Sequence, residues 1–312
     1  MIVFGPIPSR RLGRSLGINN IPPKACSYSC VYCQVGLTDI MSVQRREYFS
    51  PEEIFNEAKK HIWQLKKADE IIDYLSFVPD GEPSLDINLG KTIDKLKSFG
   101  IKIAVITNSS LLWDDTVKND LIKADWISLK IDAVNSNVWH KVNRPHNKLE
   151  LNNIIKGIEE FALSFEGTLC TETMIVRGIN DNMESINKIA RLIDRVNPNT
   201  AYILTPVRPP AENWVKVPLE YNLNTAYQTF NSYGIKTEIL TSEDGKDFTY
   251  SSNVETELLS ILAVHPMKKA AVEEFLSKAN SSWDLIKQLI KNNKLREIKY
   301  SGMTFLVKNE RR

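Results

Sequence analysis

Three of the four cysteines in the 312-residue sequence, Cys26, Cys30 and Cys33, fall within eight positions in a C-x3-C-x2-C run. Thiolates this close on one short loop embrace a metal centre from one side and leave a coordination position over. A structural zinc ion needs a fourth protein ligand, whereas a 4Fe-4S cubane held by three cysteines keeps one iron open to an outside ligand. The spacing favours the cubane, because no second C-x2-C pair and no adjacent histidine supplies the partners that zinc sites use. The alternative is a zinc knot completed by Cys170 or by a histidine. A further reading is a regulator, dependent on an Fe-S cluster or zinc, in which the metal centre is a redox or structural sensor and the terminal module binds DNA.

With Tyr32 as the aromatic before the last cysteine, the run Cys26 to Cys33 resembles the signature of the radical S-adenosylmethionine (SAM) superfamily. The resemblance implies a partial (β/α)6 barrel and two cofactors, a 4Fe-4S cluster and SAM. It also implies reductive cleavage of SAM to a 5′-deoxyadenosyl radical, with an external flavodoxin- or ferredoxin-like electron donor. By position, Cys26, Cys30 and Cys33 become the cluster ligands and Tyr32 a neighbour of the adenine. Asp80-Gly81-Glu82-Pro83 resembles the family's Gly-Gly-Glu-Pro element, whose backbone carbonyls receive the SAM ammonium; Asp80 stands where the first glycine is usual. Thr107-Asn108 resembles its Thr-Asn element, Lys130 and Asp132 fall where ribose and carboxylate are contacted, and Val176 falls where a strand end packs on adenine. Asn108 has a competing role in an Asx-turn, Lys130 with Asp132 as a strand-end ion pair, and Val176 as core.

The segment from Gly5 to Pro210 is similar to the branch that includes the tRNA wyosine-base synthetases. Archaeal members carry a second cysteine triplet upstream, and here only Cys170 remains, so the resemblance implies a relative with another substrate, an RNA base or a polypeptide. Arg10, Arg11, Arg144 and Arg208, each in a Pro- or Gly-punctuated run, are candidate substrate contacts, since a guanidinium holds phosphate or carboxylate bidentately. The run from Gly5 to Gly17 reads equally as a basic strand covering the barrel's edge. Cys170 reads as a small buried hydrophobe. No catalytic side chain is assigned.

The elements that must position these residues alternate from Ser50 to about Ser242: short β-branched runs, then amphipathic helical stretches, as in a parallel sheet wrapped by helices. The spacing predicts a helix over Pro51 to Lys67, with Ser50 as N-cap, Pro51 at its first position, Glu53 closing a capping box, and Ile54, Ala58, Ile62 and Leu65 along one face. A first strand precedes the cysteine loop. Further strands are expected at Tyr74–Val78, Ile101–Thr107, Trp126–Ile131, Thr168–Val176, Ala201–Thr205 and Lys236–Leu240. Such a series can close as a barrel or stay open, and in both cases ligands gather at the carboxyl ends of the strands. The polar and Gly/Pro runs fall just past those ends.

After the charged stretch Glu243 to Asp247 the pattern changes to helices at Val254–Val264, Lys268–Ala279 and Ser282–Asn292, then strands at Leu295–Tyr300 and Met303–Val307. That order reads as a winged-helix-like module over 253–312, beside a core domain over 1–245. Lys287, Lys291 and Lys294 on or just past the last helix suit a phosphate backbone and equally a solvated face, and the module reads also as a dock for a protein substrate or partner or as a structural cap. The 40 basic against 38 acidic residues leave a net charge of +2, too little to mark a dedicated nucleic-acid or membrane-surface binder. No apolar run approaches the roughly 18 residues of a spanning helix, and no signal peptide is evident, so the expected location is the cytoplasm.

Overall fold

The computed structural model describes residues 2–240 and 253–309; the charged stretch Glu243 to Asp247 and the expected boundary at 245 lie outside them. An eight-stranded sheet runs in chain order through β1 (Val3–Ser9), β2 (Gly13–Ile18), β3 (Tyr74–Phe77), β4 (Lys102–Thr107), β5 (Trp126–Lys130), β6 (Thr168–Met174), β7 (Thr200–Leu204) and β8 (Thr237–Leu240). β1 is antiparallel to β2, and every later pairing is parallel. The expected strands are all present, with ends within one or two residues. The N-terminal run holds more structure than a single strand, however: Val3 to Ile18 is a hairpin, and its second arm is the first parallel strand.

Helices α1 (Pro51–Lys67), α2 (Leu89–Leu96), α3 (Asp115–Leu121), α4 (Ser136–Val142), α5 (Leu151–Ser164), α6 (Met183–Val196) and α7 (Glu220–Ser232) fill the connections. α1 starts where expected. The Ser50 hydroxyl accepts from the Glu53 N–H at 3.2 Å, and the Glu53 carboxylate accepts from the Ser50 N–H at 2.8 Å, so two orphan donors of the first turn are satisfied.

Alternation along the strands sorts the core into two faces. Leu75, Phe77, Ile103, Val105, Ile127, Leu129 and Ile203 point outward and pack with Ile54, Ile93 and Ile193 of the helices in the large cluster. Ala104, Trp126, Cys170 and Tyr202 point inward and form a second cluster with Leu12, from the hairpin turn. Leu12, only 3% exposed, therefore plugs the barrel floor.

Downstream lie α8 (Val254–Val264), β9 (Met267–Lys268), α9 (Lys269–Lys278), α10 (Trp283–Lys291), β10 (Leu295–Tyr300) and β11 (Met303–Lys308), with a three-stranded sheet in the order β9-β11-β10. Leu258, Val272, Phe275, Ile286 and Leu306 build a separate apolar cluster, and Ile7 of β1 packs against it. The Tyr300 hydroxyl donates to the Pro206 carbonyl at 2.7 Å. The C-terminal elements thus lie along the hairpin and the chain that follows β7.

Leu12→Ala should destabilise the protein by about 2–5 kcal/mol through the cavity it leaves. Leu163→Ala, at a position 89% exposed, should change stability by less than about 0.5 kcal/mol. Urea unfolding monitored by circular dichroism distinguishes the two, and equal midpoints would contradict the plug.

Candidate radical SAM site

The cysteine loop is sewn to the barrel's upper rim by backbone hydrogen bonds. The Lys24 N–H donates to the Asp80 carbonyl at 2.6 Å, Glu82 N–H to Ala25 at 3.1 Å, Ser29 and Val31 N–H to Asn143 and Val142 at 3.0 Å each, and Glu212 N–H to Val31 at 3.1 Å. These anchors come from the chain after β3, β5 and β7, so the loop roofs the strand ends. Beneath it lies a cavity of about 280 Å³ walled by Cys26, Cys30, Cys33, Tyr32, Asp80, Gly81, Glu82, Asn108, Lys130 and Glu172, with Arg10, Arg11 and Arg208 also on its wall.

The three thiols are partly buried on the cavity wall. Burial pushes Cys30 up to about 12, with Asp132 adding to the effect; burial, then the neighbouring Cys30, raises Cys26 in the same way, and burial raises Cys33. Thiolates here therefore require a cationic centre. The donor set fits an iron-sulfur cluster: the Asn108 and Asn143 amide nitrogens stand 3.4 Å from Cys26 Sγ and Cys30 Sγ and would stabilise charge on sulfur. Cys170 is not on this wall but in the inward-facing apolar cluster, so the zinc alternative loses that fourth ligand. Among the described residues no three His, Cys, Asp or Glu side chains converge at single-ion spacing. A cubane spreads its thiolates over separate irons and asks for no such convergence.

Gly81 explains the close fit between turn and loop. A Cβ there would stand 1.9 Å from the Ala25 carbonyl oxygen, so only glycine lets the turn after β3 meet the strand that carries Cys26. Glu82, 1% exposed, turns into the protein. Its carboxylate accepts from the Ser84 N–H and hydroxyl at 3.0 and 2.5 Å, the Thr107 hydroxyl at 2.7 Å and the Asn108 N–H at 2.7 Å. Burial still holds its carboxyl above the ordinary value, against those four bonds. Asn108 combines both roles weighed for it: its Oδ1 accepts from the Ser110 N–H at 2.9 Å as in an Asx-turn, while its Nδ2 reaches Ser27 Oγ at 2.9 Å and Cys26.

The expected Lys130–Asp132 pair is replaced by another. Lys130 Nζ lies 3.5 Å from Glu172, which also pairs with Arg11 and accepts from Ser128 Oγ at 3.0 Å. Burial opposes charge on Glu172, but Arg11 and Lys130 outweigh it and hold the carboxyl below the ordinary range. Asp132 instead takes the Tyr32 hydroxyl, the Asn143 amide at 2.8 Å and the Met174 N–H at 2.8 Å, so it braces the site from behind. Lys130 Nζ also stands 5.3 Å from the Tyr32 ring centroid.

Among the described residues, Pro83, Asp132, Val176 and Arg144 are not on the cavity wall. Pro83 opens a short 3-10 turn. Val176 is fully buried in the large cluster, two residues past the end of the strand at Met174. Arg144 pairs with Glu212. Sequence reasoning missed Glu172, Gln34 and His265. The one available signal was Glu172, a charged residue on an inward position of a central strand. Arg208 donates to Gln34 Oε1 at 3.0 Å and meets His265 Nε2 at 3.1 Å, contacts between segments far apart in sequence.

A parallel βα sheet with a roof of three thiols over a cavity at its strand ends defines an enzyme that works through a metallocofactor and a small organic partner. The comparisons identify the class: the radical SAM superfamily model matches residues 20–193, and the chain belongs to that superfamily. Its enzymes use a 4Fe-4S cluster and SAM. A UPF0026 protein of Methanocaldococcus jannaschii is 46% identical over 310 residues, spanning 99% of this chain and 96% of its own. A radical SAM methyltransferase from Sphaerobacter thermophilus shares the fold, with a TM-score of 0.55 over 73% of this chain and 67% of its own at 14% identity. TYW1 with a lysine-pyruvate adduct bound is also similar, at a TM-score of 0.48 and 15% identity over 96% of this chain and 81% of its own.

Two outcomes follow from this geometry. Gly81→Ala should force the turn and the loop apart and cost about 1–3 kcal/mol; a thermal midpoint equal to that of the parent would contradict the close approach. For Glu172, the depressed carboxyl stabilises the fold above its unfolded value of about 4.3, and that stability is lost as pH falls through the folded value. Glu172→Gln should therefore lose about 3–5 kcal/mol at neutral pH and show a flatter acid limb in urea unfolding as pH falls from about 5 to about 2. An acid limb as steep as the parent's would refute the assignment.

Proposed function

We propose that Cys26, Cys30 and Cys33 hold the 4Fe-4S cluster and that the cavity beneath it seats SAM, so that the enzyme reductively cleaves SAM and abstracts hydrogen from a substrate at the barrel mouth. The observation that carries this reading is the meeting of three thiols, the Asp80 to Glu82 turn, Asn108 and Lys130 on one cavity wall. When bound, the cluster and SAM together supply a 5′-deoxyadenosyl radical. The protein's part is to bind, orient and exclude. Asn108 and Asn143 direct amide N–H groups at two sulfurs. The Asp80 carbonyl accepts from the Lys24 N–H, and the backbone of this turn is assigned the SAM ammonium. Lys130, kept protonated by Glu172 and Asp132 although burial works against it, faces the anionic end of SAM. Tyr32, fixed by Asp132, presents its ring to the adenine.

Arg10, Arg11 and Arg208 on the same wall suit an anionic portion of the substrate, and an RNA base or a residue of a polypeptide is the substrate class this reading carries. The reducing electron comes from an external flavodoxin- or ferredoxin-like donor. A core over 1–245 performs the chemistry, and a winged-helix-like unit over 253–312 adjoins it. No helix among the described residues is long and apolar enough to cross a membrane, and the reading places the enzyme in the cytoplasm.

Anaerobically reconstituted protein given dithionite and SAM should form 5′-deoxyadenosine, and Cys30→Ala should form none while keeping its far-UV circular dichroism. Mössbauer spectra should show one cubane iron changing on SAM addition. A single tetrahedral metal ion, or a full cluster that yields no 5′-deoxyadenosine under several reductants, would overturn the proposal.

A further inference from the structure

A second chamber of about 140 Å³ adjoins the cysteine cavity and shares Arg11, Gln34, Val78 and Ile106 with it. Its space arises from strand alternation. On β2 and β3 the inward positions are Ser15, Gly17 and Ser76, and the inward residue paired with Ser76 on β4 is Ala104, so a run of small residues faces the interior. The outward positions of the same two strands, Leu16, Ile18, Leu75 and Phe77, are large and fully buried, so the shortage of volume is confined to the barrel interior. Phe4, Ile7 and Leu12 of the hairpin supply an apolar wall, and a Cβ on Gly17 would stand 2.2 Å from the Phe4 ring. Close-packed interiors do not keep such space cheaply.

Of the polar groups on the chamber's wall, Arg11 pairs with Glu172, and Arg208 bonds to Gln34 and His265. Ser15 Oγ and Ser76 Oγ lie 2.5 Å apart, both residues buried. One hydroxyl donates to the other, which leaves the acceptor's own proton to donate onward. His265, from the C-terminal elements, closes the far side. Burial, then Arg208, holds its imidazole well below the ordinary value, so it adds no charge.

We infer that this inner chamber receives the reacting part of the substrate, a compact and largely apolar group near the size of a benzene ring that carries one hydrogen-bonding function for the Ser15–Ser76 pair. A cavity of about 150 Å³ accommodates benzene, which sets the scale. The inference rests on the radical reading above for the identity of the occupant as substrate. The chamber shares part of its wall with the thiol-walled cavity, so a group seated there is next to the place assigned to SAM.

Phenol is the probe, titrated into the SAM-bound holoenzyme by calorimetry, with benzene as its apolar partner. One equivalent of phenol should bind saturably and more tightly than benzene by about three- to tenfold, the worth of one hydrogen bond. Ser76→Ala should erase that difference while keeping benzene binding. Ser76→Phe, which fills the space, should abolish both; if it does not fold, Ser76→Ala and Ser15→Ala carry the test. Glycyl-tyrosyl-glycine, which places the same phenol on a peptide, competes with phenol if the group is a side chain and does not if it is a free molecule. Absence of phenol binding in the parent, or a phenol preference unchanged in Ser76→Ala, would overturn the chamber. 5′-Deoxyadenosine is scored on the same samples: its absence with phenol binding intact overturns the radical reading, and its formation without phenol binding overturns the chamber alone.

Discussion

The buried carboxylate of Glu82 is the joint on which the site depends. A carboxylate removed from water is tolerable only if its lone pairs are taken up by donors. Here those donors come from its own turn, Ser84, and from the end of the neighbouring strand, Thr107 and Asn108. The same residue's N–H donates to Ala25, next to Cys26. One side chain and its backbone thus tie β3, β4 and the thiol loop into a fixed triangle. The amide of Asn108, directed at Cys26 Sγ, inherits its position from that triangle, because its own N–H is one of the four donors.

A second buried carboxylate organises the interior in the same manner but with charge. Glu172 gathers Arg11 from the hairpin turn, Lys130 from the adjacent strand and Ser128 beneath it. Two cations on one carboxylate leave a positive surplus on the cavity wall. The surplus also explains why the hairpin turn folds under the barrel: Leu12 enters the floor as apolar plug while Arg11, one residue earlier, reaches the carboxylate. Burial of the one and pairing of the other are mutually supporting, the consistency expected of a specified fold.

Much of this was legible in the sequence for definite reasons. Period-two apolar runs and capped amphipathic helices gave strands and helices to within a residue or two, since each signal is local. The cysteine spacing and the turn at Gly81 were legible because loop chemistry is written in consecutive residues. The two arms of the hairpin at Val3 to Ile18 are hard to tell apart in the sequence, because Gly5, Pro6, Pro8 and Gly13 mask its alternation. Lys130 was given the partner nearest in sequence, Asp132, whereas the neighbour across the parallel ladder, Glu172, faces the same interior. Register between strands forty residues apart is a tertiary fact, and no local pattern carries it.

The same limit hid the role of the C-terminal elements. Read locally, His265 is a residue after a helix, and Arg208 is one of several arginines in Pro-rich turns. Their contact requires α8 to lie along β1, and that packing is written in the apolar face Leu258, Ile261 and Leu262 together with Ile7. Once it forms, the open side of the sheet beside the antiparallel hairpin gains a wall, and His265 becomes part of it. A partial barrel needs such a wall, because a hydrogen-abstracting radical reacts with whatever reaches it, and enclosure is then as necessary to the chemistry as the cofactors themselves.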